Sequence, residues 1–249
     1  MINVICLKWG KKYDSEYVNR LYRMVKRNLH IPFEFHCCSD DFTNISSEVQ
    51  RIPLPTDDYM LETFWWKLWI HSNEFPIKGK CIFLDLDTVV QNDISAIARF
   101  DCGEDLYVLK AQWRIEKVTK FGATHQTMIN SSVMVWDSSV RVDTFFEKFM
   151  SNPELYMLKY HGNDDYLEYE HPSQYKTLPI DWVYCRVWGY DDTDPRRERR
   201  APDRYIDIWN IRLQLYRMPE RMICMFNGIG DHHGIDHRIY DGFEHYWTD

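Results

Sequence analysis

Long hydrophobic runs are missing from this 249-residue chain. No stretch approaches the roughly 20 apolar residues that cross a bilayer as a helix, so a membrane span is not expected. The opening apolar run, Ile2 to Leu7, is too short for a secretory signal and reads as a strand. Paired cysteine spacings are missing too. The seven cysteines are scattered, with no C-x-x-C, and Cys37-Cys38 make a poor zinc pattern. Cys6, Cys81 and Cys224 lie inside apolar runs, where a thiol acts as a small hydrophobe. That usage predicts a reducing, cytoplasmic setting. Excess positive charge is also absent. A net charge of −8 argues against a nucleic-acid binder that relies on phosphate neutralisation. Pro195-Arg-Arg-Glu-Arg-Arg200 is a local exception, read as a solvated loop or as a basic flap over an anionic ligand. No repeat, low-complexity tract or linker divides the chain, which predicts one α/β domain.

What is present is ordinary in bulk and rich in aromatics. Hydrophobic residues make up 45% and charged residues 27%, as in globular proteins generally. The 10 Trp and 16 Tyr supply flat apolar faces with one polar handle, which sugars, nucleobases and cores all use. Asn3 to Leu7 predicts the first strand. Asp14 suits the N-cap of a helix in which Val18, Leu21, Tyr22 and Val25 recur at helical spacing, ending near His30. Phe33, Phe35 and Cys37 alternate in a second strand that stops at Ser39-Asp40-Asp41. This β-α-β opening calls for a right-handed crossover to a parallel neighbour. Leu61 to His71 predicts an aromatic helix (Phe64, Trp65, Trp66, Trp69) with Lys67 in its middle. Lys67 is either a surface lysine with its stem on apolar surface or a cation within reach of a pyrophosphate. Further strands are expected at Leu106 to Lys110, Ile129 to Trp136 and Met222 to Phe226, with a loop at Phe121 to Thr127. Val142, Phe145, Phe146 and Phe149 predict a core-facing helix stopped at Asn152-Pro153. His161 to Leu167 reads as a polar turn entering a short helix.

The chain centres on Lys80-Cys-Ile-Phe-Leu-Asp-Leu-Asp-Thr-Val-Val90. Cys81 to Leu84 reads as a buried strand that delivers Asp85 and Asp87 at its carboxyl end. In extended backbone, residues two apart share a side. The two carboxylates are therefore expected to face one point in the crevice beyond the strand ends of an open α/β sheet. Two like charges held together call for a cation or a proton between them. A divalent metal carrying a phosphorylated ligand supplies one. The plainer alternative is a pair of acids that ends a strand and starts a turn.

The ordered set is a nucleotide-type β-α-β, a basic residue on an aromatic helix, strand-D-x-D, Asn-Ser-Ser opening a strand, an Asn-Asp-Asp turn, and glycine with histidine near the close. It resembles the GT-A glycosyltransferases, particularly those similar to family 8, from Asn3 to about His233. The resemblance implies a single GT-A-type domain with a mostly parallel central sheet flanked by helices. About residues 1–110 would form a Rossmann-like nucleotide-binding half and about 111–249 the acceptor and sugar half. It implies a metal-dependent enzyme that moves a hexose from a nucleotide-diphosphate sugar to a glycan or glycolipid acceptor, with retention of configuration. UDP is the favoured carrier and GDP-mannose the second; the cofactor is Mn2+ or Mg2+.

Residue by residue, Asp85 and Asp87 match the metal-binding pair, and Lys67 stands where the family usually has Arg near the donor. Asn130 in Ile129-Asn-Ser-Ser-Val-Met134 matches the family's Asn-Ser-Gly-Val-Met stretch, with Ser132 in place of Gly. Asn163 and Asp164 sit where the family has an acid and a Gln near the reacting sugar, so both are candidates for catalysis. Tyr13 stands where an aromatic ring can stack on the base. The family's late metal-binding His corresponds to Asn227. His232 is the preferred third metal ligand, with His233 and Asn227 as rivals, since imidazole is the better donor. The segment from Trp182 to Arg212 is expected on the acceptor side.

Two other readings remain. Phe83-Leu-Asp-Leu-Asp-Thr88 also resembles the first motif of haloacid-dehalogenase-type phosphatases, with Asp85 as nucleophile, although that motif normally opens its domain. A non-catalytic binder of sugar nucleotides or glycans on the same scaffold is the third, because fold does not guarantee function.

Overall fold

The computed structural model describes residues 1–111, 127–141, 143–187, 202–208, 211–226 and 241–247. Strand β1 (Ile2–Lys8), helix α1 (Ser15–Asn28) and strand β2 (Phe33–Ser39) form the expected β-α-β, followed by strand β3 (Gln50–Pro53). Asp14 caps α1 in extended backbone, its carboxylate accepting from the Glu16 N–H at 3.0 Å. Lys26 and Arg27 occupy the last turn, where the partial negative charge of the helix end favours cations. Val18, Leu21, Tyr22 and Val25 are all buried.

Strand β4 (Lys80–Leu84) leads through β5 (Thr88–Val90), α3 (Ser95–Arg99) and β6 (Leu106–Lys110) to β7 (Ile129–Asp137). Helices α4 (Phe145–Met150), α5 (Pro153–Lys159) and α6 (Asn163–Glu170) then precede β8 (Tyr175–Thr177). The central sheet has seven strands in the order β3-β2-β1-β4-β7-β6-β8. It is mostly parallel, as expected, with β7 running against both β4 and β6. Alternation divides its side chains between two cores. Val4, Cys6, Ile82, Leu84, Val133 and Val135 join α1 on one face. Ile5, Cys81, Phe83, Met134 and Trp136 meet Trp65, Trp66 and the phenylalanines of α4 on the other. With both faces covered, β4 and the second half of β7 need apolar residues at nearly every position, while β7 opens on the buried polar residues Asn130, Ser131 and Ser132.

A second sheet of three strands joins distant parts of the chain. β12 (Ile223–Met225) lies antiparallel to β5 and parallel to β9 (Val183–Cys185). Beside these stand the antiparallel pair β10 (Arg204–Ile208) and β11 (Ile211–Leu215), and helix α7 (Glu244–Trp247).

Three local expectations change. The aromatic helix is shorter: a 3-10 turn, Thr63–Trp65, runs into α2 (Trp66–Trp69). Thr63 has φ +52°, a left-handed backbone that a branched side chain adopts only under strain, so no helix passes through it. Pro153 does not merely stop α4; it occupies the first turn of α5, where a missing N–H costs nothing, and the Asn152 side chain accepts from the Leu155 N–H at 3.2 Å. Asn163 and Asp164 belong to the first turn of α6 rather than to a preceding polar turn.

All seven cysteines are buried thiols. No helix among the described residues is long and apolar enough to cross a membrane. Val142, the loop at 121–126, the arginine-rich segment 195–200 and the stretch 227–234 lie outside the described residues.

Candidate active site

The two carboxylates of the D-x-D stand at the carboxyl end of β4, but not in extended chain. β4 ends at Leu84, and Asp85 to Thr88 form a turn. The Thr88 N–H and hydroxyl both donate to the Asp85 carbonyl, at 3.2 and 2.7 Å. The turn, not strand alternation, brings Asp85 and Asp87 together. Its backbone is pinned on two sides. The Asp85 N–H donates to the Ser132 carbonyl on β7 at 2.9 Å, and the Phe226 N–H, just past β12, donates to the Asp87 carbonyl at 3.0 Å.

Lys67 is not a surface lysine. It is 8% exposed, and its Nζ lies 2.7 Å from each carboxylate oxygen of Asp85. The same ammonium donates to Ser131 Oγ at 3.3 Å and stands over the Phe83 ring at 5.2 Å. A buried lysine needs such a partner, because an unpaired charge away from water is costly. Asp87 is held differently. The Tyr13 hydroxyl donates to its Oδ2 at 3.2 Å, and Oδ1 has no protein donor among the described residues. Burial, and then the charge of Asp85, push its carboxyl above the usual range, against the pull of Lys12, Lys67 and Tyr13. A half-buried carboxylate with an unused oxygen and a like charge beside it favours a cation in that position.

A third carboxylate joins the set from α6. Asp164 Oδ1 accepts from the Ser131 N–H at 3.0 Å, and its Oδ2 accepts from Asn130 Nδ2 at 3.4 Å. Asn163 Nδ2 donates to Ser131 Oγ at 2.8 Å. The Ser132 N–H fixes Asn130 by donating to its Oδ1 at 2.9 Å. Tyr13 and Asp87 thus stand beside a continuous network of Asp85, Lys67, Ser131, Asn163, Asp164 and Asn130. Ser131 is the residue that sequence reasoning passed over. Its side chain and backbone tie the D-x-D side to the α6 side, and its position between Asn130 and Ser132 was the available signal. Gly162 has a separate reason to lack a side chain: a Cβ there would lie 3.1 Å from the Phe64 ring.

Asn227, His232 and His233 lie outside the described residues. Among the described residues, no group of three or more His, Cys, Asp or Glu side chains is placed to hold a metal ion. The chemistry of the two that stand together fits a hard divalent cation, which takes oxygen ligands. Lys67 uses one lone pair on each Asp85 oxygen, and a carboxylate offers about four.

No family model and no curated protein sequence matches the chain. Among solved structures, the galactosyltransferase LgtC, crystallised with donor and acceptor sugar analogues, superposes with a TM-score of 0.62 at 14% identity over 98% of this chain and 93% of its own. The fold is that of the GT-A glycosyltransferases. The same GT-A core is shared with the glycosyltransferase GlyE of Streptococcus pneumoniae TIGR4, with a TM-score of 0.52 at 13% identity over 72% of this chain and 45% of that one. The bifunctional glycosyltransferase WbbM gives 0.51 at 12% identity over 74% of this chain and 40% of its own. The expected GT-A architecture is borne out, and the D-x-D turn lies at the carboxyl end of a parallel strand, where open α/β sheets place their ligands.

Proposed function

We propose that this chain is a metal-dependent glycosyltransferase that moves a hexose from a nucleotide-diphosphate sugar to a glycan or glycolipid acceptor, with UDP the favoured carrier. The observation that carries this reading is the polar network at one sheet end, with paired carboxylates on one side and Asn130, Asn163 and Asp164 on the other. Asp85 and Asp87 would hold Mn2+ or Mg2+, with a third donor from His232, or from its rivals His233 and Asn227. The bound cation would neutralise the charge that gathers on the departing diphosphate. Lys67 fixes Asp85, while Tyr13 orients Asp87 and offers its ring to the base. Asn130 and Asn163 supply amide groups to sugar hydroxyls. Asp164 sets a carboxylate beside the positive charge that develops at the anomeric carbon, in a reaction read as retaining.

About residues 1–110 serve the nucleotide and about 111–249 the acceptor, in a cytoplasmic setting with no nucleic acid involved. The phosphatase reading asks for a different fold, and a pure glycan binder has no use for the paired acids. The test is a thermal-shift panel of UDP, GDP, dTDP and CMP, each with and without Mn2+, on wild type and Asp87→Ala. A ligand that binds the native state raises its melting temperature by mass action. One diphosphate should stabilise only with Mn2+ and only in wild type. Stabilisation by none of them would end this reading.

A further inference from the structure

Phe64 stands at the rim of the candidate site with part of its ring in water. It is 40% exposed, while Trp65 and Trp66 beside it are buried. The 3-10 turn Thr63–Trp65 runs directly into α2. Phe64 therefore lies one turn ahead of Lys67, on the same face. Depth is graded along that face: Lys67 reaches Asp85 inside, and Phe64 marks the outer end. The ring is firmly held. Trp65 packs on it at 5.7 Å, tilted by 54°, and Trp65 in turn stacks on Phe149 at 4.9 Å. Thr63, just ahead, has φ +52°, a costly conformation for a branched side chain, and such strain collects where a fold presents a group to a ligand.

On its other side the ring meets the start of α6. A Cβ at Gly162 would lie 3.4, 3.1 and 3.5 Å from Cδ2, Cε2 and Cζ, one edge of the Phe64 ring. Gly162 has φ −179°, extended backbone open to any residue, so the ring and not the chain direction calls for glycine here. The next two residues belong to the polar network. The Asn163 amide donates to Ser131 Oγ at 2.8 Å, and Asp164 accepts from the Ser131 N–H at 3.0 Å. Lys67 donates to the same Ser131 Oγ at 3.3 Å. The Phe64 segment and the start of α6 thus meet twice, through polar groups within the site and through Phe64 on Gly162 at its edge.

We propose that Phe64 is a stacking platform for the acceptor and selects a neutral hexopyranose. An aromatic face carries negative charge density. It attracts the slightly positive C–H groups that line one face of a β-galactoside or β-glucoside. An open-chain hydroxyl compound has no such face. The platform adjoins Asn163 and Asp164, the groups read as serving the reacting sugar, and Tyr13 with the paired acids is left to the nucleotide. This assignment rests on the glycosyltransferase reading and narrows its acceptor. It also places an acceptor contact within the first 110 residues, the half read as nucleotide-binding.

The experiment compares wild type, Phe64→Ala and Phe64→Tyr, with UDP-glucose, UDP-galactose and GDP-mannose as donors in Mn2+. Methyl β-galactoside, methyl β-glucoside and glycerol serve as acceptors, and hydrolysis of each donor by water is followed in parallel. Wild type should prefer a glycoside to glycerol. Phe64→Ala should raise the KM of that glycoside by about 3- to 10-fold, the scale of one aromatic contact. Its kcat and the KM of the donor should stay within about twofold, the pattern of a lost binding contact. Phe64→Tyr, which keeps the ring, should behave as wild type. A glycoside KM that Phe64→Ala leaves untouched would overturn the proposal. So would an equal rise in the donor KM, or a fall in kcat and melting temperature without a change in KM, which marks plain packing. A wild type that hydrolyses donor yet uses glycerol as well as either glycoside, or uses none of the three, overturns it too. If no donor is hydrolysed or transferred and no diphosphate binds with Mn2+, the glycosyltransferase reading itself is wrong, an outcome distinct from the failure of Phe64 alone.

Discussion

Lys67 and His71 stand one helical turn apart in the same aromatic segment, and each meets a carboxylate. The two meetings serve opposite ends. His71 Nδ1 lies 3.3 Å from Asp143 Oδ2, and Arg141 Nε closes on Asp143 Oδ1 at 2.6 Å. The His71, Asp143 and Arg141 side chains are 1%, 4% and 7% exposed, and Trp136 and Phe145 pack around the imidazole at 4.8 and 5.7 Å. This is a sealed cluster. The Lys67–Asp85 pair keeps its lysine side chain at 10% exposure but leaves the carboxylate at 23%, and Asp87 beside it has an oxygen to spare. A buried ion pair is therefore no sign of a site in itself. What marks a site is bonding capacity left over on the side that faces water.

The comparison can be broken by exchanging the fates of the two aspartates. Asp87→Asn should cost about 100-fold or more in kcat/KM with a UDP- or GDP-hexose and Mn2+, the scale of losing a principal electrostatic contact. Its melting temperature should hold or rise, because a carboxyl already pushed upward by burial and by Asp85 gains from neutrality. Asp143→Ala should do the reverse. Removing one partner from a sealed cluster costs about 3–5 kcal/mol of stability, measured by urea unfolding, while the fraction that stays folded should turn over donor normally.

A pH test separates the regions next. His171 packs against Phe145 at 4.7 Å from the side of Tyr166, whose hydroxyl is 3.2 Å from its Nε2. Burial, then the charge of Lys148, lowers its pKa from 6.5 to about 4. Below pH 6.5 the unfolded chain takes up a proton that the native ring refuses until about pH 4. Stability is therefore full above that window and falls through it, by about 3 kcal/mol in all at ~1.4 kcal/mol per pH unit. His171→Gln should flatten the limb, read as the urea midpoint against pH. The smallest effect is expected at Thr63, ahead of Lys67. Relief of its left-handed strain in Thr63→Gly, less the added chain entropy, should raise stability by about 0.5–1 kcal/mol with Lys67 undisturbed.

Much of this arrangement could be read from the residues, and the failures have definite causes. The β-α-β opening was legible because Asp14 and the stripe of Val18, Leu21, Tyr22 and Val25 carry a cap and a period together. β4 and the apolar second half of β7 were legible because strands covered on both faces become continuous apolar runs. β5, β9 and β12 hold three residues each, too few for any period, so only Met222 to Phe226 was found, by its apolar content. Asp85 and Asp87 were correctly placed together for a wrong local reason, since i and i+2 converge in this turn much as they would in a strand. The burial of Lys67 was hidden because its partner lies beyond a loop, and a sequence shows a lysine's charge but not its counter-charge.

The pairing of β5 with β12 also bears on how the protein is made. Thr88, directly after the D-x-D, lies opposite Met225, and Asp87 itself is fastened by Phe226. Contacts so far apart in sequence form late, because a long loop must close before they return anything. During synthesis, a ribosome that has released only the first five strands has exposed both acidic side chains without β7 and β12, the strands that fix their turn. The growing chain should then carry a folded β-α-β while the turn stays unfixed until β7 and β12 have both emerged.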